Sequence, residues 1–168
     1  MSENAEERGP VKVITTPVRC EYQYTPGMAT QKFLRGVQQG KVRGQACDKC
    51  GKVYVPPRGA CAKCGVPTSR EVECSNKGTV VTMTIVRVPS ENIQVELPYV
   101  AANVLLDGAD ITFTALIQEC NFEDVRIGMR VEGVWKPESE WEPSLTNIKY
   151  FRPIDEPDVP FEQLKEIS

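Results

Sequence analysis

Apolar and polar positions alternate most clearly in the second half of the chain. In Gly78–Val88 (G-T-V-V-T-M-T-I-V-R-V), Val81, Met83 and Ile85 alternate against Thr82 and Thr84, the two-residue period of a half-buried strand. Val86 and Val88 then carry the apolar side, so the phase changes and a bulge near Ile85–Val86 is expected. Tyr99–Leu106 is apolar enough for a central strand, and Asp107-Gly108 marks the turn that closes it. Asp110–Gln118 reads as a third strand, Met129–Trp135 behind Gly128 as a fourth, and Leu145–Phe151 as a fifth. Five strands led by a long one that changes phase predict a small Greek-key barrel of the OB type, with a β-sandwich as the rival.

The first half has a different grain. Gln31–Gln39 places Phe33, Leu34 and Val37 on one helical face, with Thr30 as N-cap and Gly40 as stop. Two turns bury little alone, so this helix must pack on its own domain or on another subunit. Residues 1–30 read as an arm punctuated by Pro10, Pro17, Pro26 and Gly27, with extended character in Val11–Thr15 and Arg19–Tyr24. It is either a disordered tail or a segment that orders on a partner, and Val18, Tyr22 and Tyr24 favour the second. At the other end, Phe161, Leu164 and Ile167 share a helical face, in a terminus that either frays or docks. The resulting division is an arm (1–30), helix and ribbon (31–75), barrel (76–153) and tail (154–168).

Between helix and barrel stands the chemistry. Cys47, Cys50, Cys61 and Cys64 form two Cys-x-x-Cys pairs, each followed by glycine. Two such turns supply four soft ligands for a tetrahedral metal site with Zn–S near ~2.3 Å. A structural zinc is the leading expectation, with a redox dithiol pair or iron as alternatives. Histidine is absent, which removes the commonest general base and excludes Ser-His-Asp and Cys-His nucleophile systems within the chain. Cys20, Cys74 and Cys120 lack sequence partners and are expected as small buried or half-buried side chains. The chain has 168 residues, 40% of them hydrophobic, and no run long enough to span a bilayer. With no signal-like N-terminus and thiols suited to a reducing compartment, the expectation is a cytoplasmic protein without a membrane segment.

The net charge of −3 hides an asymmetry. Lys32–Arg70 holds nine bases and one acid, a net of +8, leaving −11 for the remainder. Four thiolates and one Zn²⁺ would reduce the segment to roughly +6. Such a surface suits an anion: an acidic protein face or nucleic acid. The competing reading is a solvated basic face that pairs with neighbouring acids. Nucleic acid is disfavoured by an acidic barrel, by an aromatic content of 7%, and by Trp135 and Trp141 lying among Glu132, Glu138, Glu140 and Glu142. Asp107, Asp110 and Glu119 could be imagined as acid–base groups, but Asp107-Gly108-Ala109-Asp110 is more simply a hairpin turn.

The order of the motifs adds a resemblance. F-L-R-G-V-Q-Q-G precedes C-x-x-C-G-x-V-Y-V-P-P-R-x-x-C-x-x-C-G; then come G-T-V-x-x-x-T-I-V, L-P-Y-V, L-D-G-A-D, R-I-G-M-R-V and a closing F-R-P. From about Lys32 to Pro153 this resembles the zinc-ribbon/OB-fold proteins of acyl-CoA metabolism, long catalogued as a domain of unknown function. The resemblance implies a mainly β protein: a short helix, a rubredoxin-like zinc ribbon and a five-stranded OB barrel. It also implies structural Zn²⁺ on Cys47, Cys50, Cys61 and Cys64, and a non-catalytic role beside a thiolase-like enzyme in a hetero-oligomer. Such enzymes include thiolases, hydroxymethylglutaryl-CoA synthases and lipid-transfer-protein-like aldolases of steroid side-chain degradation. Lys41, Arg43, Lys52 and Arg58 are the candidate residues for contact with the partner or its CoA thioester. A nucleic-acid-binding zinc-ribbon/OB module is the alternative.

Overall fold

The computed structural model describes residues 18–89 and 95–164. Helix α1 (Met28–Val37) comes first, followed by strands β1 (Val42–Ala46), β2 (Val53–Tyr54) and β3 (Arg70–Cys74). Strands β4 (Lys77–Val86), β5 (Tyr99–Leu106), β6 (Phe113–Ile117), β7 (Arg130–Trp135) and β8 (Ile148–Pro153) follow, then a single helical turn, α2 (Phe161–Leu164). The first three strands make an antiparallel sheet in the order β2-β1-β3. The other five close a barrel in the order β4-β5-β6-β8-β7, with β4 pairing back onto β7. That closure is the expected five-stranded OB-type arrangement and excludes the β-sandwich.

The barrel core follows from strand alternation. On β5, Val100, Ala102, Val104 and Leu106 are buried, while Tyr99, Ala101, Asn103 and Leu105 are only partly so. The long first strand must match this phase, and its sequence does so with one extra residue. Val80 pairs with Val104, but Thr82 pairs with Asn103, so the register shifts at Val81. Beyond the shift, Met83 and Ile85 pair with Ala102 and Val100 and pack on the core. The expected bulge therefore lies four to five residues earlier than the apolar pattern suggested. The Val80-Val81 dipeptide gave no sign of which residue was inserted, and Val88, expected as a strand position, is exposed beyond the strand. Outside the barrel, Asn103 fixes the same register: its amide donates to Thr82 Oγ1 at 2.9 Å, and its carbonyl accepts from Thr114 at 2.8 Å.

Other boundaries moved for local reasons. Gly27, not Thr30, is the N-cap of α1, and Thr30 lies inside the helix. Gly36, Phe33 and Val37 form its buried face, and a Cβ on Gly36 would stand 3.1 Å from the Lys41 carbonyl, so the helix lies close against the start of β1. Gly40 ends the turn after α1 at φ +71°, beneath the ring of Trp141. The third strand begins at Phe113 because Asp110 is engaged elsewhere; the fifth begins at Ile148, after a 3-10 turn over Leu145–Asn147. Arg19–Tyr24 has no regular structure, and Val18, Tyr22 and Tyr24 are exposed. Val11–Thr15 and Ile167 lie outside the described residues. Phe161 is exposed whereas Leu164 is buried, so the expected shared apolar face does not hold for that pair. Cys74 is buried and Cys120 half-buried as expected; Cys20 is exposed, contrary to expectation, because its segment packs on nothing.

Three ties join helix and ribbon to barrel. Val53 N–H donates to Asp110 Oδ2 at 2.7 Å while Asp110 N–H donates to the Val53 carbonyl at 2.9 Å. Trp141 packs over Gly40, its indole N–H donating to the Lys136 carbonyl at 2.8 Å. Asn147, fully buried, donates to the carbonyls of Val37 (3.3 Å) and Glu142 (2.7 Å) and accepts from Glu142 N–H (3.2 Å). On the barrel, Arg130 grips both oxygens of Asp107 (2.7 and 2.6 Å) and one of Glu156 (3.0 Å), with Lys77 also on Glu156 at 2.5 Å.

Two predictions follow from these ties. Asn147→Ala removes three side-chain hydrogen bonds from a fully buried position; the Val37 and Glu142 carbonyls keep the N–H groups of Gly40 and Ser144, while Glu142 N–H loses its partner. The substitution should lower stability by about 1–3 kcal/mol in urea denaturation. Glu156 is held below its ordinary value of 4.5, first by the Lys77 hydrogen bond and then by Arg130. A depressed carboxylate stabilises the fold above its unfolded-state value and loses that contribution as pH falls through its folded-state value. Glu156→Gln should therefore show a shallower loss of thermal stability than the parent on acidification below about pH 4.5.

Candidate metal centre

Both cysteine pairs fold into the same knuckle. Cys47 N–H donates to the Lys52 carbonyl (3.0 Å) and Gly51 N–H returns to the Cys47 carbonyl (2.7 Å). In the second knuckle, Cys61 N–H donates to Val66 (2.8 Å) and Gly65 N–H to Cys61 (2.9 Å). Each turn passes through a glycine in the left-handed region, Gly51 at φ +78° and Gly65 at φ +66°, where a side chain would be strained. β1 delivers Cys47 at its end, β2 returns from the first knuckle, and Ala60 and Pro67 bridge across the second.

The four sulfurs lie within 4.8 Å of one another, with Cys50 Sγ and Cys61 Sγ 3.7 Å apart. A tetrahedron with metal–sulfur bonds of ~2.3 Å has sulfur–sulfur edges of about 3.8 Å, so the donor set fits zinc in size, number and softness. Burial is unequal: Cys47 and Cys61 are buried, Cys64 half-buried and Cys50 exposed. The thiols also differ in acidity. Cys61 is drawn down to about 6, first by a hydrogen bond with the Tyr54 hydroxyl. Cys64 is pushed up to about 12, first by the neighbouring Cys50. Thiols this close resist simultaneous ionisation, and a divalent cation at their centre holds them all as thiolates. Four converging sulfurs would fill the coordination shell of a single tetrahedral ion, the arrangement of a structural site.

The floor of the centre is shared. Tyr54, Cys47 and Cys61 form a small buried cluster, against which Val66 and the barrel residue Ile111 pack. Tyr54 and Ile111 were not singled out from sequence. Tyr54 sits in V-Y-V, which reads only as a strand fragment, and no sequence signal links Ile111 to a cysteine knuckle dozens of residues away.

The four candidate bases are placed as follows. Lys41 precedes β1 and pairs with Glu73 at 3.4 Å. Arg43, on β1, lays its aliphatic stem over Gly36 and lines a shallow cleft with Lys32, Pro57 and Glu71. Lys52 is half-buried just before β2. Arg58 is exposed, its guanidinium carbon 5.9 Å from the centre of the Tyr54 ring. Acids on and near β3 answer part of the basic run: Lys32 meets Glu71 (3.0 Å) and Arg70 meets Asp48 (3.2 Å). Arg35, Arg43, Lys49, Lys52, Arg58 and Lys63 have no ion-pair partner among the described residues. Trp135 and Trp141 pack on each other at 5.5 Å, half-buried, with both indole N–H groups bonded.

Comparison with known proteins agrees with this construction. Residues 35–69 match the family model described as ChsH2, rubredoxin-like zinc ribbon domain, and residues 71–136 match ChsH2, C-terminal OB-fold domain. A DUF35 domain-containing scaffold protein of Methanocaldococcus jannaschii is 42% identical over 95 residues, covering 55% of this chain and 66% of its own length, just short of two thirds. Its counterpart in Pyrococcus furiosus is 34% identical over 66% of this chain and 82% of its own length; that of Methanothermobacter thermautotrophicus is 31% identical over 59% and 74%. Among solved structures, a chain of the Ltp2-ChsH2(DUF35) aldolase superposes with a TM-score of 0.57 at 23% identity, covering 78% of this chain and 98% of that one. A DUF35-family protein of unknown function from Sulfolobus solfataricus gives 0.57 at 22% identity, covering 76% and 84%. Both likenesses are of fold. The cysteine knuckles, the closed barrel and the identity to the archaeal relatives together establish that this chain belongs to the DUF35/ChsH2 family of zinc-ribbon/OB-fold proteins.

Proposed function

We propose that this protein is a non-catalytic accessory subunit that holds zinc structurally and docks onto a thiolase-like CoA-ester enzyme, stabilising it and completing its active-site region. The observation that carries the reading is the closed four-thiolate centre in a chain without histidine. Such a centre leaves no coordination position for a substrate, and no histidine is present to move a proton. The chemistry then belongs to a partner. The scaffold designation of the archaeal relatives and the two-component aldolase whose chain shares this fold support that choice. The partner's reaction is placed among thiolase and retro-aldolase steps of lipid or steroid side-chain metabolism, in the cytoplasm, where thiols stay reduced. Exposed Val18, Tyr22, Tyr24 and Met28 supply apolar surface for docking, and Arg43, Lys52 and Arg58, with Lys41 beside them, supply cations for an acidic enzyme face or for CoA phosphates. Nucleic-acid binding gains no support, because the paired, half-buried tryptophans offer no open stacking platform.

Two outcomes test this reading. The purified chain should elute as a complex with a thiolase-fold CoA enzyme from its own organism and raise that enzyme's solubility or turnover. Turnover of CoA esters by the chain alone, or separate elution with no effect on the enzyme, would overturn it. Cys50→Ser should lower zinc content from one per chain to well below that by elemental analysis, and weaken complex formation at least tenfold. A verified metal-free variant that assembles normally would remove the zinc from the docking role.

A further inference from the structure

The zinc reading treats the four cysteines as equivalent, but their surroundings are not. Tyr54, 1% exposed, reaches from β2 across to the second knuckle. Its hydroxyl lies 3.3 Å from Cys61 Sγ and accepts the N–H of Ala62, the next residue, at 3.1 Å. A metal-bound thiolate has no proton and can only accept, so the single hydroxyl proton is directed at Cys61. The Cys64 N–H also approaches the same sulfur, at 3.4 Å. Because β2 is the return strand of the first knuckle, this side chain ties one knuckle to the other at the sulfur of Cys61 and the backbone N–H of Ala62. Arg58 lies over the outer side of the same ring.

Resting on the zinc reading, we infer that Tyr54 is a positioning residue of the metal centre: its hydroxyl fixes Cys61 as a hydrogen-bonded thiolate and makes it the anchor that holds the metal longest. Cys50, the exposed ligand, is then the edge from which metal exchange and thiol attack begin. Donors in the outer sphere of a metal site orient the ligand and tune its electron density, and their loss costs roughly 10–100-fold in metal affinity.

The test uses the full chain loaded with Zn²⁺ or Co²⁺, comparing the parent with Tyr54→Phe, which keeps the ring and removes only the hydroxyl. Competition with a chromophoric chelator should show about tenfold weaker zinc binding in the variant. The sulfur-to-cobalt charge-transfer band should shift, a signature that altered packing alone would not give. On limited chelation with N-ethylmaleimide present, mass mapping of the parent should find Cys50 modified first and Cys61 last, after the equally buried Cys47. In the variant the difference between Cys61 and Cys47 should vanish. Unchanged chelator competition and an unchanged cobalt band would overturn the inference while leaving the zinc reading intact. A parent chain that takes up neither metal would overturn both. Should Tyr54→Phe fail to fold, the labelling order in the parent decides: Cys61 modified together with or before Cys47 overturns the role of Tyr54.

Discussion

Four sulfurs within 4.8 Å of one another form an arrangement that a protein cannot hold as thiolates without a cation. The ribbon has little else to fold around: its strands are two to five residues long, and its buried cluster is three residues, two of them cysteines. A metal at the centre of the four sulfurs would couple its own binding to the folding of this segment. The two knuckles repeat the same pair of backbone hydrogen bonds and the same left-handed glycine, so each presents its sulfurs on one side. Tyr54 and the Cys50–Cys61 sulfur contact run directly from one knuckle to the other.

Contacts run from that centre into the barrel. The exchange between Val53 and Asp110 uses the backbone of β2, two residues downstream of the first knuckle's glycine, and Ile111 next to it packs against the cysteines. Asn147 then binds the end of α1 to the loop before β8, while Trp141 covers Gly40. Helix, ribbon and barrel are thus joined by direct contacts, and the segment before α1 carries exposed Val18, Tyr22 and Tyr24.

Much of this was legible in the order of residues. Tyr99–Leu106 is apolar enough to be read as a central strand, but with apolar residues on both faces only its pairing shows that Val100, Ala102, Val104 and Leu106 point inward. The errors fell where a long-range partner overrides local pattern. The bulge sits at Val81, where β4 must match β5, and adjacent valines conceal which residue is extra. β6 starts late because Asp110 is claimed by Val53. Thr30 is a good cap by type, but the helix extends back to Gly27 because Met28 and Ala29 propagate it. The basic run appeared nearly uncompensated because it ends at Arg70, just before Glu71 and Glu73, which answer it from β3.

The sequence by itself determined the four-cysteine cluster, the number of barrel strands, and the absence of histidine. These depend on residue type and short spacing, which the chain states directly. The tertiary structure alone decided which cysteines are buried, that Tyr54 serves Cys61, and that Asp110 and Asn147 join the two parts. Each of those depends on side chains brought together across 7 to 110 positions by strand pairing and loop closure, and local composition carries no record of it.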